Sequence, residues 1–246
     1  MKIIFDKSTY KPGEEISGYG VGKLIISKLG YKLSESNVNG KFTLPAMNQG
    51  SYAVELIADD QSYCSALEVI ENPWQRIRYG FLSEFADYID TAQQVEWAKR
   101  LHLTSIQFYD WAYKHEFLMA PGESYADPLG GVISKSKLKE LIAGYEAAGI
   151  YPSGYAAVYA VDREGWARWK DSGLYGDDGK PFQLGEDFLW VIDPADIKWL
   201  PHFIEQLKAA HDFGFKTFHL DQYGWPKRAV KADGTVVDIA EQFTKM

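Results

Sequence analysis

The chain has one cysteine, no run of basic residues and no long apolar stretch, and each shortage excludes a class of protein. Cys64 alone cannot form an internal disulfide or a zinc site built from several cysteines, and we expect it to be a small core residue. With 26 Lys and Arg against 34 Asp and Glu, the net charge is −8, which argues against a nucleic-acid partner. The sequence predicts no metal site and no cofactor.

The apolar run at the N-terminus is too short for a signal peptide, because charged residues follow it at once. No stretch of the sequence reaches the roughly 20 apolar residues that are needed to span a bilayer. We therefore expect no membrane partner, and a chain that either stays in the cytoplasm or has lost an export signal.

Aromatic residues, by contrast, are abundant: they make up 15% of the chain, with 8 Trp and 16 Tyr. Flat apolar rings with polar edges pack against sugar rings, but they also fill ordinary protein cores. Composition alone leaves these two interpretations open.

Two patterns divide the chain. Residues 1–71 contain short alternating segments separated by Gly, Asn, Ser and Pro, which predicts an immunoglobulin-like β-sandwich domain. Residues 72–246 alternate between strand and helix patterns, as parallel βα units do. The predicted strands lie at 77–85, 105–111, 150–161 and 216–223, which corresponds to the first half of a (β/α)8 barrel.

Helices are predicted between these strands. One covers residues 91–103 with Thr91 as its N-cap, a second covers 134–148 and ends at Gly149, and a third covers 194–214 with Asp193 as its N-cap. Long loops are expected over residues 112–131 and 162–193.

Polar and aromatic residues follow the predicted strands. If the strands run parallel, their carboxyl ends meet at one face, where barrels carry their active sites. Asp221 and Asp110 both lie at such ends, and a carboxylate there can attack an anomeric carbon or stabilise an oxocarbenium-like transition state. Asp221 is the predicted catalytic residue. The predicted substrate contacts are Glu84, Tyr109, Asp110, Trp111, His115, Tyr159, Gln222 and Tyr223.

Structural alternatives exist for several of these residues. A strand-end Asp often caps the loop that follows, and this applies to both Asp110 and Asp221. His115 either binds a sugar hydroxyl or is a solvated loop residue. Glu84 is either a substrate ligand or the buried ion-pair partner of an Arg.

Three segments, in this order, carry a resemblance to a known family. They read RYGFLSEF from residue 78, IQFYDW from residue 106 with Tyr113 and His115 after it, and FHLDQYG from residue 218. Together they resemble glycoside hydrolase family 66, over roughly residues 72–246. That family contains dextranases, which cut α-1,6-glucan internally, and cycloisomaltooligosaccharide glucanotransferases, which close the same glucan into rings.

The resemblance implies a retaining mechanism in which Asp221 is the nucleophile. It also implies a Glu several tens of residues later as general acid/base, a position expected beyond Met246. The chain is therefore expected to be the front part of an enzyme, inactive alone, whose missing half comes from elsewhere or from self-association. The implied ligands are α-glucan polysaccharide or isomaltooligosaccharides, and work on external polymer favours secretion of the parent protein.

Two other functions remain open at this stage. The many aromatic residues and the missing acid are compatible with a carbohydrate-binding protein without catalysis. The fold also hosts many chemistries, so a different (β/α)8 enzyme is a third possibility.

Overall fold

The computed structural model of the chain describes residues 3–221 and 224–246. The strands are β1 (Ile4–Phe5), β2 (Ile16–Lys28), β3 (Tyr31–Leu44), β4 (Gly50–Ala58), β5 (Gln61–Val69), β6 (Tyr79–Leu82), β7 (Ser105–Phe108), β8 (Ser124–Ala126), β9 (Val132–Ser134), β10 (Tyr151–Ala157), β11 (Ala160–Val161), β12 (Leu174–Tyr175), β13 (Gln183–Leu184), β14 (Leu189–Val191), β15 (Thr217–Asp221), β16 (Arg228–Lys231) and β17 (Val236–Asp238). The helices are α1 (Thr91–Arg100), α2 (Lys135–Ala147), α3 (Arg163–Trp169), α4 (Trp199–Phe213) and α5 (Ile239–Lys245). Short 3₁₀ helices cover Pro73–Arg76 and Lys170–Ser172.

By their internal contacts the residues form two units. One comprises residues 1–81, 90–106 and 140–152, and the other comprises residues 82–89, 107–139 and 153–246. These units are discontinuous in sequence and do not test a boundary between consecutive domains. The predicted domain boundary after residue 71 therefore stays a prediction. Within the described residues, no helix is both long and apolar enough to cross a membrane.

Strands β1 to β5 form one antiparallel sheet in the first unit. β2 pairs with β3 along its whole length and with β4 over its second half, and β4 pairs with β5. The segment after β1 reaches Tyr10, which forms a parallel bridge with Val69 at the end of β5. Five-stranded pairing is thus observed, whereas the two packed sheets of an immunoglobulin-like sandwich stay a prediction.

The core of this sheet follows from side-chain alternation. Leu24 and Ile26 of β2, Leu56 of β4 and Val69 of β5 are at most 1% exposed and belong to one apolar cluster. Successive side chains of a strand point to opposite faces, so the even-numbered Cys64 of β5 lies opposite the inward-facing Val69. Cys64 is accordingly exposed, and its prediction as a core residue is wrong.

A second sheet has the strand order β15, β10, β7, β6, in which successive sheet strands are separated along the chain by α1, α2 and α4. β10 and β15 are parallel, with Ala157 opposite Asp221. This alternation of strand and helix is the pattern that the sequence predicts from residue 72 onward. The helix α2 also matches its prediction closely, because Gly149 adopts φ +71 just after it and ends it.

Two predicted helix starts are wrong for identifiable reasons. The α1 N-cap is Asp90, whose side chain accepts a hydrogen bond from Gln93 N at 3.1 Å. The third long helix starts at Trp199. Asp193 lies before it and is buried, with Oδ1 accepting a hydrogen bond from Ala195 N at 3.1 Å and Oδ2 paired with Lys231 at 2.6 Å. Asp196 instead accepts hydrogen bonds from the backbone N–H groups of Lys198 and Trp199.

The two predicted loops contain secondary structure. Residues 112–131 include β8, which pairs with β9 as a hairpin. Residues 162–193 include α3 and the strands β12, β13 and β14. β14 pairs with β11 and β13, and β12 pairs with β16, so this excursion is held by two small antiparallel sheets.

Candidate active site at the strand ends

Asp221 is the last residue of β15 and is partly exposed. Its partner across the parallel pair of strands is Ala157 of β10. Tyr155 lies two residues before Ala157 and therefore on the same face, one diagonal step from Asp221. The Tyr155 hydroxyl donates a hydrogen bond to Asp221 Oδ2 at 2.9 Å. One oxygen of the predicted nucleophile is thus held by a neighbouring strand.

Tyr155 is itself fixed from two sides. Its ring centroid lies 5.0 Å from that of Tyr109, with the planes tilted by 56°, and its backbone carbonyl accepts a hydrogen bond from Trp111 Nε1 at 3.0 Å. Burial raises the pKa of the Tyr155 hydroxyl, and the charge of Asp221 adds to the rise. The hydroxyl therefore stays protonated near neutral pH and acts as the donor.

Asp110 follows β7 in a left-handed backbone conformation with φ +50 and is 9% exposed. Its pKa is raised to about 6, first by burial and then by the carboxylates of Asp127 and Asp221, against a hydrogen bond with Tyr109 that lowers it. Among the described residues no backbone N–H donates to Asp110, so the structure gives it no capping role. The Asp221 carboxylate is thus close enough to contribute to the raised pKa of Asp110, and the two carboxyl groups lie beside Tyr109 and Tyr155.

Trp111 and Tyr159 are fully buried. The Trp111 ring packs on Phe215 at 4.3 Å, and the Tyr159 hydroxyl donates to the carbonyl oxygen of Trp225. In this structure Trp111 thus holds the backbone of Tyr155, and Tyr159 holds the backbone of Trp225. Their predicted contact with substrate stays a prediction.

Glu84 is exposed, and its Oε2 accepts a hydrogen bond from the Tyr88 hydroxyl at 3.0 Å. The alternative of a buried ion pair for Glu84 is therefore wrong. Gln222 and Tyr223 lie outside the described residues, and the capping alternative for Asp221 stays a prediction.

His115 is 7% exposed, so the solvated-loop alternative is wrong. Burial lowers the pKa of its imidazole to about 4, which keeps the ring neutral at physiological pH. Its Nδ1 is sealed from solvent and has no hydrogen-bond partner among the described residues.

Tyr155 is the site residue that the sequence did not predict. It lies inside a strand instead of at its end, so the rule that selects strand-end residues passes over it. A signal did exist, because Tyr155 is the one large side chain between Gly154 and the pair Ala156 and Ala157.

No group of three or more His, Cys, Asp or Glu residues suited to a metal ion occurs within residues 3–221 and 224–246. What the strand ends bring together is a set of carboxyl and phenol groups: Tyr109, Asp110, Tyr155 and Asp221. Such a set can transfer protons, attack an electrophilic carbon or bind hydroxyl groups.

Comparison with known proteins identifies the class of protein to which this arrangement belongs. The sequence model of Glycosyl hydrolase family 66 matches residues 21–246, so the chain belongs to that family. The resemblance carried by the three sequence segments is thereby confirmed.

Particular relatives are two cycloisomaltooligosaccharide glucanotransferases of Niallia circulans. One is 28% identical over 199 residues, which cover 73% of this chain and 20% of that protein. The other is 23% identical over an alignment of 287 positions, which covers 99% of this chain and 29% of that protein. The chain thus spans less than a third of the length of the curated relatives it matches.

A solved structure has the same fold over the aligned region. It is the cycloisomaltooligosaccharide glucanotransferase of a Paenibacillus species complexed with cycloisomaltoheptaose, with a TM-score of 0.84 and 21% identity. The alignment covers 99% of this chain and 41% of that one. At this level of identity the similarity establishes the fold alone.

Proposed function

We propose that the chain carries the nucleophile of a retaining enzyme that acts on α-1,6-glucan, and that this nucleophile is Asp221. The observation that supports the proposal most directly is the hydrogen bond from Tyr155 to Asp221 Oδ2, at the carboxyl end of β15 and beside Asp110. Family membership supports the same chemistry.

In the proposed first step, Asp221 Oδ1 attacks the anomeric carbon of a glucosyl unit. The bond from that carbon to the leaving oxygen breaks, its electron pair goes to the oxygen, and a glycosyl ester with Asp221 forms. Tyr155 holds Oδ2 during this step, so that the carboxylate keeps one orientation. We assign to Tyr109 and Asp110 the binding of hydroxyl groups of the same sugar.

A second carboxyl group is part of the proposal. The family resemblance assigns it to a Glu several tens of residues after the FHLDQYG segment, where it protonates the leaving oxygen. The ester is then transferred either to water, as in a dextranase, or to a sugar hydroxyl, as in a glucanotransferase. The names of the curated relatives favour transfer.

The finer description of the fold belongs to the same proposal. We assign residues 72–246 to the first half of a (β/α)8 barrel, supported by the four-stranded order of β6, β7, β10 and β15. Residues 1–71 are assigned to an immunoglobulin-like domain, supported by the antiparallel pairing of β2 to β5.

The nucleophile can be tested separately from the acid, since fluoride leaves a sugar without being protonated. A ring-fluorinated α-isomaltosyl fluoride is incubated with the chain, and covalent labelling is followed by mass spectrometry and peptide mapping. We expect a single glycosyl ester on Asp221, and a labelling rate at least about 1,000-fold lower in Asp221→Asn.

The matched control is Asp212→Asn, because the Asp212 side chain is 84% exposed on α4. Normal labelling of Asp221→Asn, or an ester on another carboxylate, would overturn the assignment. A chain that binds isomaltooligosaccharides but takes no label would instead be a sugar-binding protein without this chemistry.

A further inference from the structure

The hairpin of β8 and β9 is anchored to the segment that follows β6. Ile133 of β9 forms a parallel bridge with Phe85, and Ser134 N donates a hydrogen bond to the Phe85 carbonyl oxygen at 3.0 Å. Ile133 and Phe85 are both at most 1% exposed, and the Phe85 ring stacks on that of Phe108 in β7 at 5.3 Å. The hairpin is therefore a fixed part of the unit that contains Asp221.

Tyr125 of β8 connects this hairpin to Trp111. Its hydroxyl donates a hydrogen bond to the backbone carbonyl oxygen of Trp111, and its ring meets that of Tyr113 edge to face at 5.9 Å. Burial raises the pKa of the Tyr125 hydroxyl, and the charge of Asp127 adds to the rise. The hydroxyl therefore stays protonated at neutral pH and acts as a donor.

Trp111 connects Tyr125 to Tyr155. β7 ends at Phe108, so Trp111 lies beyond the strand, where its indole Nε1 donates a hydrogen bond to the Tyr155 carbonyl oxygen at 3.0 Å. The Trp111 ring is fully buried and packs on Phe215 at 4.3 Å. A close-packed ring cannot turn independently of its backbone. A displacement of the Trp111 carbonyl group therefore also displaces the indole N–H that holds Tyr155.

Three hydrogen bonds thus run in series from the hairpin to the carboxylate of the candidate site. Tyr125 bonds to Trp111, Trp111 bonds to Tyr155, and Tyr155 bonds to Asp221 Oδ2 at 2.9 Å. Each bond fixes a group that makes the next bond. A misplacement of a reacting group by about 1 Å can slow a reaction about 100-fold. Loss of the Tyr125 hydroxyl is therefore expected to slow chemistry at Asp221.

We propose that Tyr125 is a positioning residue for the nucleophile: through Trp111 it fixes Tyr155, and through Tyr155 it fixes the Asp221 carboxylate. The role of Asp221 as nucleophile rests on the proposed function, whereas the connection from Tyr125 to Tyr155 rests on the hydrogen bonds alone. Tyr125 itself is not assigned a contact with the sugar.

A double-mutant cycle tests this series of bonds. Tyr125→Phe removes the hydroxyl and keeps the ring, and Tyr155→Phe removes the last bond. We expect Tyr125→Phe to lower the labelling rate at saturating isomaltosyl fluoride about 3-fold to 10-fold, with an unchanged half-saturating concentration. In the Tyr155→Phe background the same change should have no further effect, because the series is already broken.

The matched control is Tyr175→Phe in the same unit. Tyr175 is also half-buried, and its hydroxyl donates to the Lys170 carbonyl oxygen at 2.8 Å, a bond that is not part of the series. We expect Tyr175→Phe to be labelled normally. 4-Aminophenylalanine at position 125 keeps an N–H donor, and it should restore the labelling rate to within about twofold of the parent chain.

A second measurement does not depend on the chemistry of Asp221. Exchange of the Trp111 indole proton with D2O is followed by ¹H–¹⁵N NMR, and its signal is identified by its absence in Trp111→Phe. We expect slow exchange in the parent chain, exchange about 10-fold faster in Tyr125→Phe, and no change in Tyr175→Phe.

Three outcomes would overturn the inference: an unchanged labelling rate in Tyr125→Phe, equal slowing by this change in the parent and Tyr155→Phe backgrounds, or unchanged exchange of the indole proton. No labelling of the parent chain would refute the proposed nucleophile, and the exchange rates would still decide the connection from Tyr125 to Trp111. If Tyr125→Phe does not fold, fast exchange of the indole proton in the parent chain would still refute that connection.

Discussion

The antiparallel sheet of β1 to β5 and the strand-end site around Asp221 bury different kinds of side chain. The sheet buries an apolar cluster that includes Leu24, Leu56 and Val69. The site buries Asp110 and His115, a carboxyl group and an imidazole. Burying polar groups costs free energy unless they are paired, so a region that keeps them buried does so for a reason other than stability. The contrast separates a region that stabilises the chain from a region that carries its chemistry.

The largest effect on stability is expected in the sheet. Leu56 is fully buried, and Leu56→Ala leaves a cavity beside Leu24, its partner across the strand pair, within the apolar cluster of the sheet. We expect the free energy of unfolding to fall by about 3 kcal/mol, as measured by urea denaturation. Labelling of Asp221 by the isomaltosyl fluoride should be unchanged in the fraction that remains folded. Lost labelling in folded Leu56→Ala would break the proposed separation of the two regions.

Tyr155→Phe in the site is expected to slow the labelling of Asp221. The change removes the hydrogen bond to Asp221 Oδ2 and keeps the ring that packs on Tyr109. We expect the labelling rate at saturating isomaltosyl fluoride to fall about 10-fold to 100-fold, because the carboxylate loses its fixed orientation. The half-saturating concentration should stay the same, since Tyr155 positions the nucleophile and is not assigned a sugar contact.

The matched control for this change is Tyr52→Phe in β4. Tyr52 is also buried, and its hydroxyl donates to the Asn48 carbonyl oxygen at 2.6 Å. We expect about 1 kcal/mol of lost stability and normal labelling. Equal losses of labelling in both Tyr→Phe variants would mean that Tyr155 acts only through the stability of the chain.

The two regions also differ in how far their sequence predicts them. The apolar alternation of β2, β4 and β5 predicts strands directly, and the alternation of Phe218 and Leu220 predicts β15 with Asp221 at its end. The prediction that β15 is a buried strand is wrong, because Leu220 is 45% exposed. These signals are local, because a strand with one buried face repeats every two residues. The same local signal predicts that Asp110 and Asp221 lie at strand ends, and the structure places both there.

Long-range contacts are what the sequence does not reveal. The hydrogen bond from Tyr155 to Asp221 joins residues 66 positions apart, and the ion pair of Asp193 joins it to Lys231 in β16. The sequence near Tyr155 does not identify Asp221 as its partner, and the sequence near Asp193 does not identify Lys231.

The smallest expected effect is on the pH dependence of stability, which the site should show through Asp110 and the apolar sheet should not. Burial raises the Asp110 pKa to about 6, so the folded chain binds more protons than the unfolded chain between about pH 4 and pH 6. The contribution of Asp110 to stability therefore falls as the pH rises through that window. Asp110→Asn removes the titration, and its free energy of unfolding relative to the parent chain should rise by about 1 to 2 kcal/mol between pH 4 and pH 7.

Urea denaturation of both proteins at the two pH values measures this difference, with Asp212→Asn as the exposed carboxylate control. A difference that does not change with pH would contradict the raised pKa and, with it, the electrostatic coupling of Asp110 to Asp127 and Asp221. If Asp110→Asn is more stable than the parent chain and its Asp221 is labelled more slowly, then the buried Asp110 lowers stability and serves the chemistry of the site. The apolar cluster of the sheet contains no such group.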